Sequence, residues 1–173
     1  MKIAILGYSG SGKSTLARLL AARFSLPCLH LDAVHWSAGW KERKAQEALS
    51  IVSHFLLQNK SWVIDGNYRN LLQQERLDSA DLILILQFPR LVCLYRAFKR
   101  LFRYKGRTRP DMAEGCNEKV DAEFIRWILY KGRSKAVRDH YRRIRQQYPD
   151  KVQTLKSSRQ IKQYFPCIAG SIS

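Results

Sequence analysis

The sequence predicts an α/β fold in which a mostly parallel sheet carries helices on both faces. Short apolar runs alternate with helix-length segments along the whole chain, which is the pattern of β-α units. A glycine-rich motif, residues 7–14, joins the first apolar run to the first helical segment. With 173 residues, of which 46% are hydrophobic, the chain is long enough to bury a core. We therefore expect a single domain over residues 1–173.

The expected elements follow from these runs in chain order. Strands are predicted at Lys2–Leu6, Cys28–Leu31, Trp62–Asp65, Asp81–Gln87 and Lys151–Leu155. Helices are predicted at Lys13–Phe24, Lys41–Asn59, Asn70–Leu77, Arg90–Tyr104, Asp121–Gln147 and Arg159–Phe165. Pro27, Pro89 and Pro149 fall at junctions, where a residue without a backbone donor is tolerated best.

The glycine-rich motif has the form G-x-x-x-x-G-K-[ST], which is the phosphate-binding loop of nucleoside triphosphate enzymes. Glycines let backbone amides curl around phosphate oxygens, and the following helix turns its positive end towards them. Lys13 is expected to reach the β- and γ-phosphates, and the Ser14 hydroxyl to bind Mg²⁺. The residues expected to bind ATP are Gly7, Ser9, Gly10, Ser11, Gly12, Lys13, Ser14 and Thr15.

Two carboxylates come at the carboxyl ends of predicted strands, where open parallel sheets bind ligands. Asp65 closes the run Trp62–Asp65, and we assign it to Mg²⁺ beside Ser14, in the role of a Walker-B carboxylate. Asp32 then faces the acceptor, either taking a proton from its hydroxyl or hydrogen-bonding to it. Each aspartate could instead be a helix N-cap or a turn residue.

Polar and aromatic residues after these strand ends suggest an acceptor pocket. Asn67 offers both a donor and an acceptor, and Arg69 could bind an anionic group in a forked geometry. Together with Asp32 and Asp65, they are the expected substrate-binding residues. A cluster of His35, Trp36, Gly39 and Trp40 could form the wall of that pocket, or it could be part of the core.

The net charge of +17 is concentrated in one part of the chain. Residues 89–147 carry 17 Lys and Arg against 6 Asp and Glu. Arg96 and Arg100 are four residues apart and share a helix face, so we expect them to stabilise the transferring phosphoryl group. Residues of about 90–118, which include a long irregular stretch, are expected to form a mobile lid. A nucleic-acid surface and a solvated basic helix are the competing interpretations of this charge.

These motifs together resemble the adenylate-kinase-like branch of P-loop kinases, and more closely the bacterial family named "DNA topology modulation protein". The matching stretches are residues 7–15, 29–32, 39–41, 62–68, 109–115 and 124–128. The resemblance implies a P-loop NTPase three-layer sandwich with a five-stranded parallel sheet in the order 2-3-1-4-5 and a helical, arginine-rich lid. It also implies that Asp65 lies beside the phosphate loop, that Arg96 and Arg100 belong to a lid helix, and that residues 156–159 cradle the adenine. Nucleoside monophosphate kinases differ in carrying Asp-Gly-Phe-Pro-Arg where this chain has Asp-Gly-Asn-Tyr-Arg.

The leading functional interpretation is a kinase that uses ATP and Mg²⁺ to phosphorylate a small molecule, with Lys13, Asp32, Arg96 and Arg100 as catalytic residues. A nucleotide-dependent regulator that binds nucleic acid through residues 89–147 is the alternative, although no helix-turn-helix or zinc-finger signature is present. A plain nucleotide switch would leave the acidic strand ends without a purpose. No apolar run approaches membrane-spanning length, and the four cysteines are widely spaced, so a cytoplasmic protein without a membrane partner is expected.

Overall fold

The structure, a computed structural model, describes residues 1–104, 106, 108–109, 111–117 and 120–171. Its strands are β1 (Lys2–Gly7), β2 (Cys28–His30), β3 (Trp36–Ser37), β4 (Lys41–Glu42), β5 (Trp62–Asp65), β6 (Leu82–Leu86) and β7 (Val152–Leu155). Five of them form one parallel sheet in the order β2-β5-β1-β6-β7, and β3 and β4 form an antiparallel hairpin. Counting the sheet strands alone, this is the order 2-3-1-4-5, so the expected α/β topology is confirmed.

Helices connect these strands. They are α1 (Lys13–Phe24), α2 (Leu31–His35), α3 (Ala45–Gln58), α4 (Gln73–Ser79), α5 (Arg90–Arg103), α6 (Ala122–Leu129), α7 (Lys135–Gln147) and α8 (Ser158–Tyr164). Short 3₁₀ turns cover Ala38–Trp40, Lys131–Arg133 and Pro166–Ser171. Within the described ranges, no helix is both long and apolar enough to cross a lipid bilayer.

The central strands are uninterrupted apolar runs because both of their faces are buried in the core. Residues 3–6 of β1 and 83–86 of β6 are almost fully buried, because helices cover both faces of a parallel sheet. Strand β1 lies at the centre of the sheet, between β5 and β6. The loop that leaves β1 therefore emerges at the middle of the carboxyl edge, which is the usual ligand-binding position of such sheets.

The predicted helix Asp121–Gln147 is wrong, because the structure divides it into α6 and α7. The break is the 3₁₀ turn Lys131–Arg133, where a Cβ on Gly132 would lie 2.9 Å from Nε1 and 3.0 Å from the carbonyl oxygen of Trp127. The turn directs Arg133 inwards, and its guanidinium lies 4.0 Å from the ring centroid of Tyr8. Breaking the helix thus allows a buried cation to stack on the first residue of the loop after β1.

The segment around Asp32 and Lys41 also differs from prediction. Strand β2 ends at His30, and Asp32 lies in the first turn of α2 rather than at the end of a strand. The predicted helix Lys41–Asn59 begins only at Ala45, because Lys41 and Glu42 pair with β3 in the hairpin. Gly39, with φ of 72°, and Trp40, with φ of 61°, make the turn between the two hairpin strands.

Candidate active site

The phosphate loop connects β1 to α1 and packs closely against two other elements. A Cβ on Gly7, where φ is 145°, would lie 2.4 Å from the carbonyl oxygen of Leu86 in β6. A Cβ on Gly10, where φ is 76°, would lie 2.4 Å from the carbonyl oxygen of Cys93 in α5. Both positions therefore require glycine, for conformation and for space. The backbone amide of Tyr8 also holds the loop against β6, because it donates to the Leu86 carbonyl at 3.1 Å.

Lys13 begins α1 and turns back over the loop, where its Nζ donates to the carbonyl oxygen of Tyr8 at 3.2 Å. Burial lowers the pKa of Lys13, and the nearby Arg100 lowers it further, while Asp32 and Asp65 oppose the shift. The ammonium is thus placed between two carboxylates and a guanidinium. A bound phosphate would supply the negative charge that favours its protonated form.

Asp65 lies beside the loop because β5 pairs with β1, with Ile5 and Asp65 as register partners. Its Oδ2 accepts a hydrogen bond from the Ser14 hydroxyl at 2.9 Å, so the two predicted Mg²⁺ ligands are in contact. Hydroxyl and carboxylate oxygens are the hard ligands that Mg²⁺ prefers, and this donor pair fits the ion. Asp65 is 3% exposed, so the carboxylate is held within the protein.

His30 is the second partner of Asp65, a contact that was not predicted from the sequence. Its Nδ1 donates to Oδ1 of Asp65, and the two residues are register partners on β2 and β5. Burial lowers the pKa of His30, but hydrogen bonds to Asp65 and Cys28 outweigh it and raise the pKa to about 10. The strand pattern Leu-His-Leu-Asp could have indicated this contact once β2 was placed next to β5.

Asn67 binds the backbone of the phosphate loop at its first residue. Its Nδ2 donates to the Gly7 carbonyl at 2.7 Å, and its Oδ1 accepts from the Gly7 amide at 3.0 Å. The Tyr141 hydroxyl donates to the same Oδ1 at 3.3 Å. Asn67 lines the main cavity, but these contacts already engage both ends of its side-chain amide.

Replacing Asn67 by alanine is expected to destabilise the protein by about 1–3 kcal/mol, because two hydrogen bonds to Gly7 are lost. Urea denaturation followed by circular dichroism measures the change in the free energy of unfolding. Asn59→Ala removes an amide that bonds the Phe55 carbonyl at the end of α3 and is the matched control for ATP binding. A weaker affinity for ATP is expected only in Asn67→Ala, and equal affinities in both variants would contradict the role of Asn67 in shaping the loop.

The basic helix α5 faces the phosphate loop. Arg96 donates through Nη1 to the Ser11 carbonyl at 2.9 Å and through Nη2 to the Ser158 hydroxyl at 2.8 Å, while its guanidinium lies 4.3 Å from the Phe88 ring centroid. Arg96 therefore links the loop to the start of α8. Lys99, Arg100 and Arg103 line the same cavity as Arg96.

Replacing Arg96 by lysine is expected to weaken ATP binding about tenfold, because an ammonium cannot bridge Ser11 and Ser158 as a planar guanidinium does. Isothermal titration calorimetry measures the affinity. Arg90→Lys is the control on the same helix, since Arg90 is exposed and stacks on Tyr130 at 5.9 Å from its ring centroid. Unchanged affinity in Arg96→Lys would show that the cation, rather than the bridge, is what matters.

One cavity of about 800 Å³ joins the loop to Asp32. The Tyr68 hydroxyl donates to Oδ1 of Asp32 at 2.9 Å, and no hydrogen bond from the described residues engages the other carboxylate oxygen. Trp36, Trp40 and Tyr68 line the cavity on this side, and we call these three residues the aromatic wall. The predicted acceptor residue Asp32 therefore lines the same cavity as Trp36 and Trp40 of the predicted cluster, whereas His35 and Gly39 of that cluster are not among the lining residues.

Arg69 lies elsewhere. It is exposed and lines a second cavity of about 120 Å³ beside His140 and Tyr141, rather than the main cavity. Among the arginines that line the main cavity is Arg109, which pairs with Asp111. The predicted lid residues 105, 107, 110, 118 and 119 lie outside the described residues.

Trp127 also reaches the phosphate loop, a contact that was not predicted from the sequence. Its Nε1 donates to the Ser9 hydroxyl at 3.1 Å, and its side chain lines the main cavity. The contact joins α6 to a residue 118 positions earlier in the chain, so no local pattern indicates it.

The sequence matches no protein-family model and no curated protein. Among solved structures, shikimate kinase from Acinetobacter baumannii in complex with shikimate is similar over 98% of this chain and 93% of its own, with 16% identity and a TM-score of 0.56. A protein provisionally described as a kinase, from Chloroflexus aurantiacus, has 18% identity and a TM-score of 0.45 over 75% of this chain and 77% of its own. An uncharacterized protein from Eubacterium ventriosum has 15% identity and a TM-score of 0.49 over 99% of each chain. The shikimate kinase comparison shows the fold of P-loop kinases.

Proposed function

We propose that this chain is a kinase that transfers the γ-phosphoryl group of ATP to a hydroxyl group of a small molecule. The observation that carries the proposal is that a single cavity contains both the phosphate loop and Asp32 with the aromatic wall. Its volume of about 800 Å³ is within the range of small-molecule sites and leaves room for two ligands. A nucleotide switch would need only the loop half of this cavity.

The loop end of the cavity would bind the triphosphate. Backbone amides of residues 9–14 and the Lys13 ammonium would contact the phosphates, and Arg96 and Arg100 would stabilise charge on the transferring group. Ser14 and Asp65 would hold Mg²⁺. The ion, when bound, supplies positive charge that neutralises the phosphate oxygens. His30 would keep the Asp65 carboxylate in its orientation.

Asp32 would act at the acceptor hydroxyl. As the acceptor oxygen forms its bond to the γ-phosphorus, the bond from that phosphorus to the β-phosphate bridging oxygen breaks and ADP leaves. The hydroxyl proton passes to the Asp32 carboxylate and later to solvent. Tyr68 holds Asp32 through the hydrogen bond to Oδ1, so the other oxygen is the one that takes the proton.

The position of the basic residues favours a kinase over a nucleic-acid regulator. Four cations of α5, namely Arg96, Lys99, Arg100 and Arg103, line the nucleotide cavity, where they suit a triphosphate. A polyanion would instead require them on an outer face, where they could follow a backbone. This placement supports a small-molecule partner.

The test is production of ADP by the purified protein with Mg²⁺, ATP and a panel of nucleosides, nucleotides, sugars and shikimate, with duplex DNA in a separate reaction. Transfer of labelled γ-phosphate to one small molecule is the expected result. ATP hydrolysis stimulated by DNA, with no labelled small-molecule product, would overturn the proposal.

A further inference from the structure

The acceptor end of the cavity presents a continuous series of aromatic rings. His35 packs against Tyr68, with ring centroids 4.6 Å apart, and against Trp36 at 4.7 Å. Trp36 in turn meets Trp40 edge-to-face, with centroids 5.7 Å apart and planes at 68°. The ring edges fix one another, so the aromatic wall is held in place before any ligand binds. Such a surface suits a flat ring better than a flexible polar chain.

The aromatic wall is also connected to residues 111–117. Trp40 donates through Nε1 to the Asn117 carbonyl at 3.0 Å, and the Cys116 thiol donates to the Ser37 carbonyl at 3.3 Å. These contacts connect the β3–β4 hairpin to residues 111–117. Asp111 and Met112 of that segment line the cavity together with Arg109.

The cation at this end is already neutralised. Arg109 donates through Nη1 to Oδ2 of Asp111 at 2.9 Å, and the two side chains are only 9% and 6% exposed. A phosphate or carboxylate on the acceptor would have to compete with a buried carboxylate for this guanidinium. The pair therefore disfavours an anionic acceptor.

Asp32 also shares the cavity with a cation. Lys13 lines the same cavity, and the two side chains interact electrostatically. A cationic acceptor at Asp32 would meet the ammonium of Lys13 and the cations of α5. The charges around the aromatic wall therefore favour neither a cation nor an anion.

We infer that the acceptor is an uncharged alcohol with a planar ring, of which nucleosides are the most familiar class. This inference rests on the proposed function. The ring lies against the aromatic wall, and a hydroxyl points to Asp32. In the reaction, that hydroxyl oxygen bonds to the γ-phosphorus, its proton passes to Asp32, and the bond between the γ-phosphorus and the β-phosphate oxygen breaks to release ADP.

The first experiment measures kcat/KM for transfer of labelled γ-phosphate to uridine, cytidine, adenosine, guanosine and thymidine. Their 5′-monophosphates, shikimate and choline are the charged comparison set. At least one nucleoside is expected to exceed its own monophosphate by tenfold or more. Transfer only to a charged acceptor would overturn this inference and leave the kinase proposal intact. No transfer to any of these compounds, or to the sugars of the earlier panel, would overturn both.

The second experiment replaces Asp111 by asparagine, which removes one negative charge that is paired with the Arg109 guanidinium. The ratio of kcat/KM for the monophosphate to that for the nucleoside is expected to rise about tenfold. Glu114→Gln makes the same change of charge at an exposed position of the same segment and is expected to leave the ratio unchanged. An unchanged ratio in a folded Asp111→Asn protein would contradict the inference that the pair of Arg109 and Asp111 disfavours an anionic acceptor.

A third variant tests the inference independently, in case Asp111→Asn does not fold. Trp36→Leu removes a ring of the aromatic wall and is expected to raise KM for the nucleoside about tenfold, with the affinity for ATP unchanged by calorimetry. Equal KM values in Trp36→Leu and the parent protein would contradict ring recognition.

Discussion

Replacing Lys13 by alanine is expected to reduce phosphoryl transfer by about 10²–10³-fold or more. Lys13 is the first residue of α1, and its ammonium donates a hydrogen bond back to the phosphate loop, at the Tyr8 carbonyl. The ammonium lines the main cavity, where Asp32, Asp65 and Arg100 act on it electrostatically. Its loss would remove the cation that we propose to contact the β- and γ-phosphates. Transfer of labelled γ-phosphate to the preferred acceptor measures the effect.

The control for Lys13→Ala is Lys60→Ala, which removes the same charge from an exposed position after α3. Circular dichroism spectra and urea midpoints establish that both variants are folded. Turnover that persists in folded Lys13→Ala would show that the loop does not bind the transferred phosphate.

Replacing Asp32 by asparagine is expected to lower kcat by about 10²–10⁴-fold and to change the affinity for ATP by no more than about twofold. The amide cannot take the acceptor proton, but it keeps the shape of the carboxylate and can still accept the Tyr68 hydrogen bond. The residues that we propose to bind the phosphates lie on the loop and on α5, so nucleotide binding is expected to persist. Single-turnover transfer and calorimetry separate the two quantities.

Two further variants sharpen the test at Asp32. Tyr68→Phe removes the hydrogen bond to Oδ1 without removing the base, so a smaller loss of kcat, about tenfold, is expected. Asp150→Asn, in an exposed turn before β7, controls for loss of a negative charge. Equal losses of transfer and ATP affinity in Asp32→Asn would make Asp32 a structural residue.

The fold follows from the sequence because its signals are local and strong. The apolar runs at residues 3–6 and 83–86 are buried strands, and the glycines at positions 7 and 10 meet close backbone contacts. The contact between Ser14 and Asp65 also agrees with prediction, since the order of the strands places the two residues side by side. The positions of these residues therefore follow from the motif and from the order of the strands, whereas their roles at a nucleotide stay a prediction.

The acceptor end could not be derived in the same way. The hairpin of β3 and β4, the position of Asp32 in α2 and the contact of Trp127 with Ser9 depend on residues far apart in the chain. The turn at Lys131–Arg133 is set by packing of Gly132 on Trp127. The helical periodicity of residues 121–147 predicted one continuous helix there. Tertiary contacts of this kind can override such periodicity, and the structure has a break instead.

The paired hydrogen bonds between Asn67 and Gly7 have a thermodynamic consequence. Together with the contacts of Gly7 and Tyr8 to Leu86, they give the loop its curvature while the protein folds. In the proposed function, the conformational entropy of shaping the loop is then lost during folding and not at the moment of nucleotide association. More of the intrinsic binding energy would remain available for the phosphates, because the loop would not have to refold around them.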